Sequence, residues 1–107
     1  MKTNKIFLVI ALLLVFSTAK AQEDTLTASI NPFPTSTDLT IHNLNSDTVT
    51  FKIYNINGAL VESFFDTIVL SGTITITFNA STLPDGIYFA RLFKNNENST
   101  LKLVKSQ

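Results

Sequence analysis

Few side chains in this sequence could carry out chemistry, and their spacing offers no catalytic arrangement. The single histidine, His42, has no serine and aspartate, or cysteine and aspartate, that spacing could bring beside it, so we expect it at the surface or rim of the fold. The 107 residues include no cysteine, which excludes thiol nucleophiles, thiolate zinc sites and disulfides. Five aspartates fall mainly at turn sequences, where hydrogen bonds to the local backbone account for them: Asp24, Asp38, Asp47, Asp66 and Asp85. We therefore expect no enzyme activity, no cofactor and no metal ion, with a loop-borne calcium site as the open alternative.

Charge and glycine content argue against two further kinds of ligand. Eight basic residues balance eight acidic ones, and the basic residues form no patch of the kind that binds nucleic acid. Only three glycines are present, and they form no glycine-rich phosphate loop. Neither a nucleic-acid partner nor a small-molecule substrate is predicted.

The first 21 residues have the three parts of a secretory signal peptide. Lys2 and Lys5 give a positive start, residues 6–16 are an unbroken apolar run, and Ala19-Lys20-Ala21 has the small-x-small pattern that precedes cleavage. The apolar run is shorter than the roughly 20 residues of a spanning helix, although a retained membrane anchor is the alternative. Cleavage after Ala21 would leave residues 22–107 as one domain, with five basic and eight acidic residues.

The rest of the chain is a series of short β-branched and aromatic runs separated by turn residues. Alternation with a period of two marks half-buried strands, as in residues 49–56, where Val49, Phe51 and Ile53 share one face. The predicted strands are 25–30, 38–44, 49–56, 59–65, 73–78, 87–93 and 101–104. Six or seven antiparallel strands predict an all-β, immunoglobulin-like β-sandwich, with a small closed barrel as the alternative.

Turn signals and one unusual strand complete this prediction. Asn57-Gly58 predicts a type I′ hairpin that pairs 59–65 with the preceding strand, and Ser71-Gly72 predicts a further turn. The strand 87–93 is apolar on both faces, so it is either central in the sheet or docks on something outside the domain. Self-association through this strand is one expectation.

Four segments, in this order, resemble the C-terminal sorting domain of the type IX secretion system of Bacteroidetes-type bacteria. Asn31-Pro32-Phe33-Pro34 with the following strand is similar to the family's opening, and residues 53–61 are similar to its "IYNxxGxxV" hairpin. Residues 83–92 are similar to its "LPxGxYxxRL" turn and strand, and residues 101–105 to its basic terminal strand.

The resemblance implies export to the periplasm and then to the cell surface or the medium, with recognition by outer-membrane translocon proteins. It assigns recognition to nine residues: Asn31, Pro32, Gly58, Leu83, Pro84, Gly86, Tyr88, Lys102 and Lys105. The requirements of folding also account for the presence of several of these residues. Tyr88 can bury its ring while its hydroxyl reaches a partner, and lysines on an edge strand resist aggregation.

The family's domain normally follows a large passenger, whereas here it would follow the signal peptide directly. A free-standing secreted β-sandwich that binds a protein or glycan at the cell envelope is therefore the alternative, with strand 87–93 and Phe64-Phe65 as its contact surface. Three Asp-Thr-apolar triplets also resemble the O-glycosylation acceptor of the same bacteria, which makes Thr25, Thr48 and Thr67 candidate acceptors.

Overall fold

The computed structural model describes residues 25–107, which form five β-strands in one antiparallel sheet. The predicted signal peptide, residues 1–21, lies outside the described residues. The strands are β1 (Leu26–Ala28), β2 (Ser36–Asn55), β3 (Leu60–Asn79), β4 (Gly86–Lys94) and β5 (Glu97–Lys105). The all-β antiparallel class is confirmed, while the immunoglobulin-like sandwich stays a prediction. Within 25–107, no helix is long and apolar enough to cross a membrane.

The two longest strands, β2 and β3, form a continuous ribbon to which the other strands attach. β3 pairs with β2 from Ser36↔Asn79 to Tyr54↔Leu60. On the other edge of β2, β1 pairs with the first half and β4 with the second half. β5 then pairs with β4 along its full length.

The described residues contain five strands, and the expected six or seven is wrong because two pairs of predicted strands are merged. The predicted breaks within β2 and β3 are shifts of register inside continuous strands. Asn43, Ser46 and Thr67 have φ of 60°, 52° and 56°, and Gly72 has 84°. Irregular residues of this kind bend a strand and change which face its next side chains occupy. Ser71-Gly72 therefore lies inside β3 and is not a turn.

The irregular stretch of β2 adds one buried side chain between two buried sets. Leu39 and Ile41 are buried before the irregular stretch, and Val49, Phe51 and Ile53 are buried after it, all with 0% exposure. These five residues would share a face in a regular strand, whereas Leu44, which is 5% exposed, has the opposite parity and faces inward because the register shifts on either side of it. One core cluster consequently receives side chains from both halves of the strand.

The hairpin between β2 and β3 is confirmed, but its turn is not type I′. Only Gly58 has a positive φ, +86°, whereas Asn57 does not. The N–H of Gly58 donates to the carbonyl of Asn55 at 3.0 Å, and the N–H of Asn55 donates to the carbonyl of Ala59 at 2.9 Å. This is the three-residue loop with a bulged glycine. Asn55 Oδ1 favours it by accepting from the N–H groups of Asn57 and Ala59 at 2.9 and 3.0 Å.

The strand that is apolar on both faces, β4, is central in the sheet, which was one of its two predicted positions. It lies between β2 and β5, and its inward side chains Tyr88, Ala90 and Leu92 are buried. Its other face, which carries Phe89 and Phe93, is half-buried to exposed.

Candidate functional site at the end where four segments meet

The four segments singled out in the sequence come together at one end of the molecule. The pairing of Asn55 with Tyr88 and of Gly86 with Lys105 brings the β2–β3 turn, the start of β4 and the end of β5 side by side. The segment between β1 and β2 joins them through a parallel bridge between Phe33 and Lys105. We call this region the motif end, and it comprises residues 31–34, 55–59, 83–88 and 102–107.

Asn31 and Phe33 hold the outer edge of β5 through four hydrogen bonds, an arrangement that we call the edge clamp. Asn31 Nδ2 donates to the carbonyl of Lys102 at 2.7 Å, and Asn31 Oδ1 accepts from the N–H of Val104 at 3.0 Å. The N–H of Phe33 donates to the carbonyl of Val104 at 2.9 Å, and its own carbonyl accepts from the N–H of Ser106 at 3.0 Å. Edge strands with unpaired backbone groups invite pairing with other chains, so the clamp closes this part of the edge.

Lys105 is buried, with 3% exposure, so it does not protect the edge of β5 against aggregation as an exposed lysine would. Lys102 and Lys105 are an odd number of residues apart, so their side chains point to opposite faces of the strand. Lys105 shares the inward face with Leu103, which is fully buried, whereas Lys102 is exposed.

Asp85 is the partner of the buried lysine. Lys105 Nζ donates to Asp85 Oδ1 at 3.1 Å, and Asp85 Oδ2 accepts from the N–H of Gln107 at 3.1 Å. The N–H of Gln107 first, and then the ammonium of Lys105, hold the pKa of Asp85 below its usual 3.8. One carboxylate thereby ties the turn before β4 to the last residues of the chain.

We expect the stability of the protein to fall in acid as Asp85 is protonated. Because the pKa of Asp85 is lower in the folded state, its carboxylate stabilises that state above about pH 4, and this contribution is lost as the pH falls through the lowered pKa. Urea unfolding at a series of pH values should show a midpoint that declines below about pH 4, and Asp85→Asn should make that decline shallower. An unchanged pH profile in the variant would contradict the assignment.

Asp47 offers an independent comparison, because a similar effect operates away from the motif end. The N–H of Asn45 and then the amide of Asn95 lower the pKa of Asp47. Asp47→Asn should therefore remove a separate part of the acid sensitivity, and the two substitutions together should flatten the profile further.

Tyr88 anchors the turn that leads into β4. Its hydroxyl donates to the carbonyl of Pro84 at 2.6 Å, and its ring, 5% exposed, meets the ring of Phe78 edge-on at 6.1 Å between centroids. The expected combination of a buried ring and a bonded hydroxyl is confirmed. Leu83 packs against the core beside it, and Gly86 has a φ of +152°, which favours glycine.

The structure brings all nine sequence-predicted site residues to the motif end but divides them by exposure. Tyr88 and Lys105 are buried, Leu83 and Gly86 are half-buried, and the others are exposed: Asn31, Pro32, Gly58, Pro84 and Lys102. A surface depression of about 260 Å³ lies between the β2–β3 turn and residues 83–88. The exposed and half-buried members can contact a partner without rearrangement, whereas Lys105 cannot.

Three residues of this region were missed from the sequence: Phe33, Asp85 and Gln107. Its position in a turn sequence is enough to account for Asp85. A signal was present, because Lys105 occupies the same parity as Leu101 and Leu103, and a lysine on an inward face needs a partner. The Gln107 contact involves a backbone N–H, which no residue type could indicate.

The residues considered for chemistry lie apart. His42 is half-buried, and its Nε2 lies 2.9 Å from the hydroxyl of Thr27. No group of three histidine, aspartate or glutamate side chains within 25–107 could hold a metal ion. Thr25 is half-buried, whereas Thr48 and Thr67 are exposed, and all three stay candidate glycosylation acceptors.

The fold and the motif end define a small all-β module. Asn31 and Tyr88, two of its predicted site residues, form hydrogen bonds with backbone groups of the same domain. A family model for the secretion system C-terminal sorting domain matches residues 29–106, so the chain belongs to this type IX secretion family. No curated protein matches the chain at a significant level. Domains of this family are non-catalytic sorting signals that interact with the secretion machinery and direct export toward the cell surface or extracellular space.

Proposed function

We propose that residues 22–107 form a non-catalytic secretion-targeting module that the outer-membrane translocon of the type IX system recognises through the motif end. The observation that carries this proposal is the convergence of four segments. They are separated by up to about 70 residues in sequence, yet strand pairing and hydrogen bonds bring them to one end of the molecule. A partner protein could therefore contact all four segments at once.

Within this surface we assign direct contact to the exposed residues and support to the buried ones. Pro32, Pro84 and Lys102 would meet the translocon, with Asn31 and Gly58 at the margin. Tyr88 and Lys105 would fix the shape of the surface through Pro84 and Asp85. Leu83 and Gly86 set the path of the backbone between them.

The proposed route begins with residues 1–21 acting as a cleaved signal peptide. The domain would then fold in the periplasm, without disulfides because no cysteine is present, and pass to the cell surface or the medium.

A reporter fusion tests this function. A folded reporter with its own signal peptide, followed by residues 22–107, should leave the cells of a host with this secretion system and should remain in the periplasm of a translocon-deficient strain. Lys102→Glu should lower the secreted fraction about tenfold or more, because each 1.4 kcal/mol of lost binding free energy reduces an equilibrium constant about tenfold.

Lys94→Glu is the matched control, because Lys94 lies at the other end of β4, opposite Glu97. It should leave secretion near the level of the unaltered fusion. Thermal melts of the purified fusions would separate lost recognition from lost folding. Periplasmic retention of a folded fusion, or secretion that persists after deletion of residues 101–107, would overturn the proposal.

A further inference from the structure

A second surface lies on the side of the sheet that faces away from the core. Residues paired across antiparallel strands share a face, so Tyr54 lies beside Phe89, and Arg91 lies between Lys52 and Thr100. Phe93 occupies the next outward position of β4 and is 39% exposed. We call this surface the aromatic–arginine face, and its members are Tyr54, Phe89, Arg91, Phe93 and Thr100.

Arg91 is held in place on this face by two rings. Its Cζ lies 5.8 Å from the centroid of the Tyr54 ring and 5.5 Å from that of Phe93, within the range of cation–π attraction. Among residues 25–107 its guanidinium has neither an ion pair nor a hydrogen bond, whereas the neighbouring Lys52 lies 3.7 Å from Asp66. The five N–H donors of Arg91 are thus positioned and available for a planar anion such as a carboxylate.

A pocket of about 370 Å³ opens beside this guanidinium. The aromatic residues Tyr54 and Phe89 line it together with Asn55 and Thr100, which carry polar groups. Asn55 Oδ1 is engaged by the turn, which leaves the Nδ2 group of its amide as a donor. Volumes of this order, with apolar walls and a few polar groups, are typical of sites for small ligands.

Aromatic walls, hydrogen-bonding groups at the margin and an unpaired guanidinium together suit one chemical class. The flat apolar faces of a sugar ring can pack on Tyr54 and Phe89, its hydroxyls can bond with Asn55 and Thr100, and a carboxylate can bind Arg91 in a bidentate manner. Lys102 is the cross-strand neighbour of Phe89 and adds positive charge nearby. The family's export toward the cell surface also brings the domain to a place where polysaccharides are found.

We propose that the aromatic–arginine face binds an acidic saccharide, with its carboxylate on Arg91 and its ring against Tyr54 and Phe89. This site adjoins the motif end at the β2–β3 turn and at Lys102. The proposal does not depend on recognition by the translocon.

Calorimetric titration of the protein expressed from the full sequence tests this proposal, with oligogalacturonate as the probe and neutral dextran as its uncharged counterpart. Oligogalacturonate should bind at least about tenfold more tightly than dextran, and binding should weaken with added salt because the attraction is partly ionic. Arg91→Gln should reduce affinity at least about tenfold. Arg91→Lys, which keeps the charge but loses the planar fork, should give an intermediate loss.

Lys94→Gln removes a positive charge from the same strand outside the pocket and should leave the affinity unchanged. Absence of oligogalacturonate binding, equal binding of dextran, or full affinity in Arg91→Gln with a native melting curve would overturn the proposal. Equal binding of polyglutamate would also overturn it, because the face would then recognise acidic peptides and not saccharides.

Discussion

Phe33→Ala should be among the most destabilising single substitutions in this protein. The ring is fully buried and meets Phe78 edge-on at 6.0 Å, although Phe33 lies in the short segment between β1 and β2 and not in a strand. Truncation of a buried phenylalanine costs about 3–5 kcal/mol. A domain of roughly 80 residues has a total stability of about 4–12 kcal/mol, so this loss is a large fraction of it.

Thermal unfolding measures the effect, with an expected fall in Tm of about 12–40 °C for a domain of this size. Phe93→Ala is the matched control, because it removes the same side chain from a position that is 39% exposed. That variant should lose only a few degrees. If both variants melted alike, Phe33 would not anchor the opening segment as the structure indicates.

Gly86→Asn should destabilise the fold far more than Gly58→Asn. A Cβ placed at either glycine meets no atom within 4 Å, so only the backbone conformation distinguishes the two sites. Gly58 has a φ of +86°, near the left-handed region that asparagine tolerates, whereas Gly86 has a φ of +152°. Conformations restricted to glycine cost other residues about 1–3 kcal/mol.

Denaturant titration of the two asparagine variants provides the measurement. The midpoint of Gly86→Asn should fall by an amount equivalent to about 1–3 kcal/mol, and that of Gly58→Asn by less than about 1 kcal/mol. Because Gly86 starts the strand that carries Tyr88, the secretion of a fusion bearing Gly86→Asn should fall with its folded fraction. Equal midpoints for the two variants would show that Gly86 is not under this constraint.

Strand positions were predictable because alternation of apolar residues is a local signal. The stretches around Phe51, Ile76 and Leu92 follow the period of two that burial on one face imposes. The joining of two predicted strands into β2 was not predictable in the same way. Asn43 lies inside the predicted strand 38–44 and Ser46 lies between two predicted strands, yet both have positive φ values and lie at shifts of register that depend on the pairing with β3.

At the motif end, the turns could be predicted from neighbouring residues, whereas the contacts between segments far apart in sequence could not. The hairpin at Gly58 and the turn before Gly86 follow from glycine and proline chemistry within a few residues. The edge clamp depends on Asn31 reaching backbone groups of Lys102 and Val104, which lie more than 70 residues away in sequence. The parity of Lys105 indicates that it needs a partner, but the choice of Asp85, 20 residues away, depends on how the strands pack.

The edge clamp has a mechanical consequence. Phe33 and Lys105 form a parallel bridge, so the opening segment and the end of β5 run in the same direction. Tension that pulled the chain before Asn31 away from the chain after Ser106 would load the four clamp bonds together in shear, and they could not open one after another like a zipper. The motif end should therefore keep its shape when the chain is pulled in this direction.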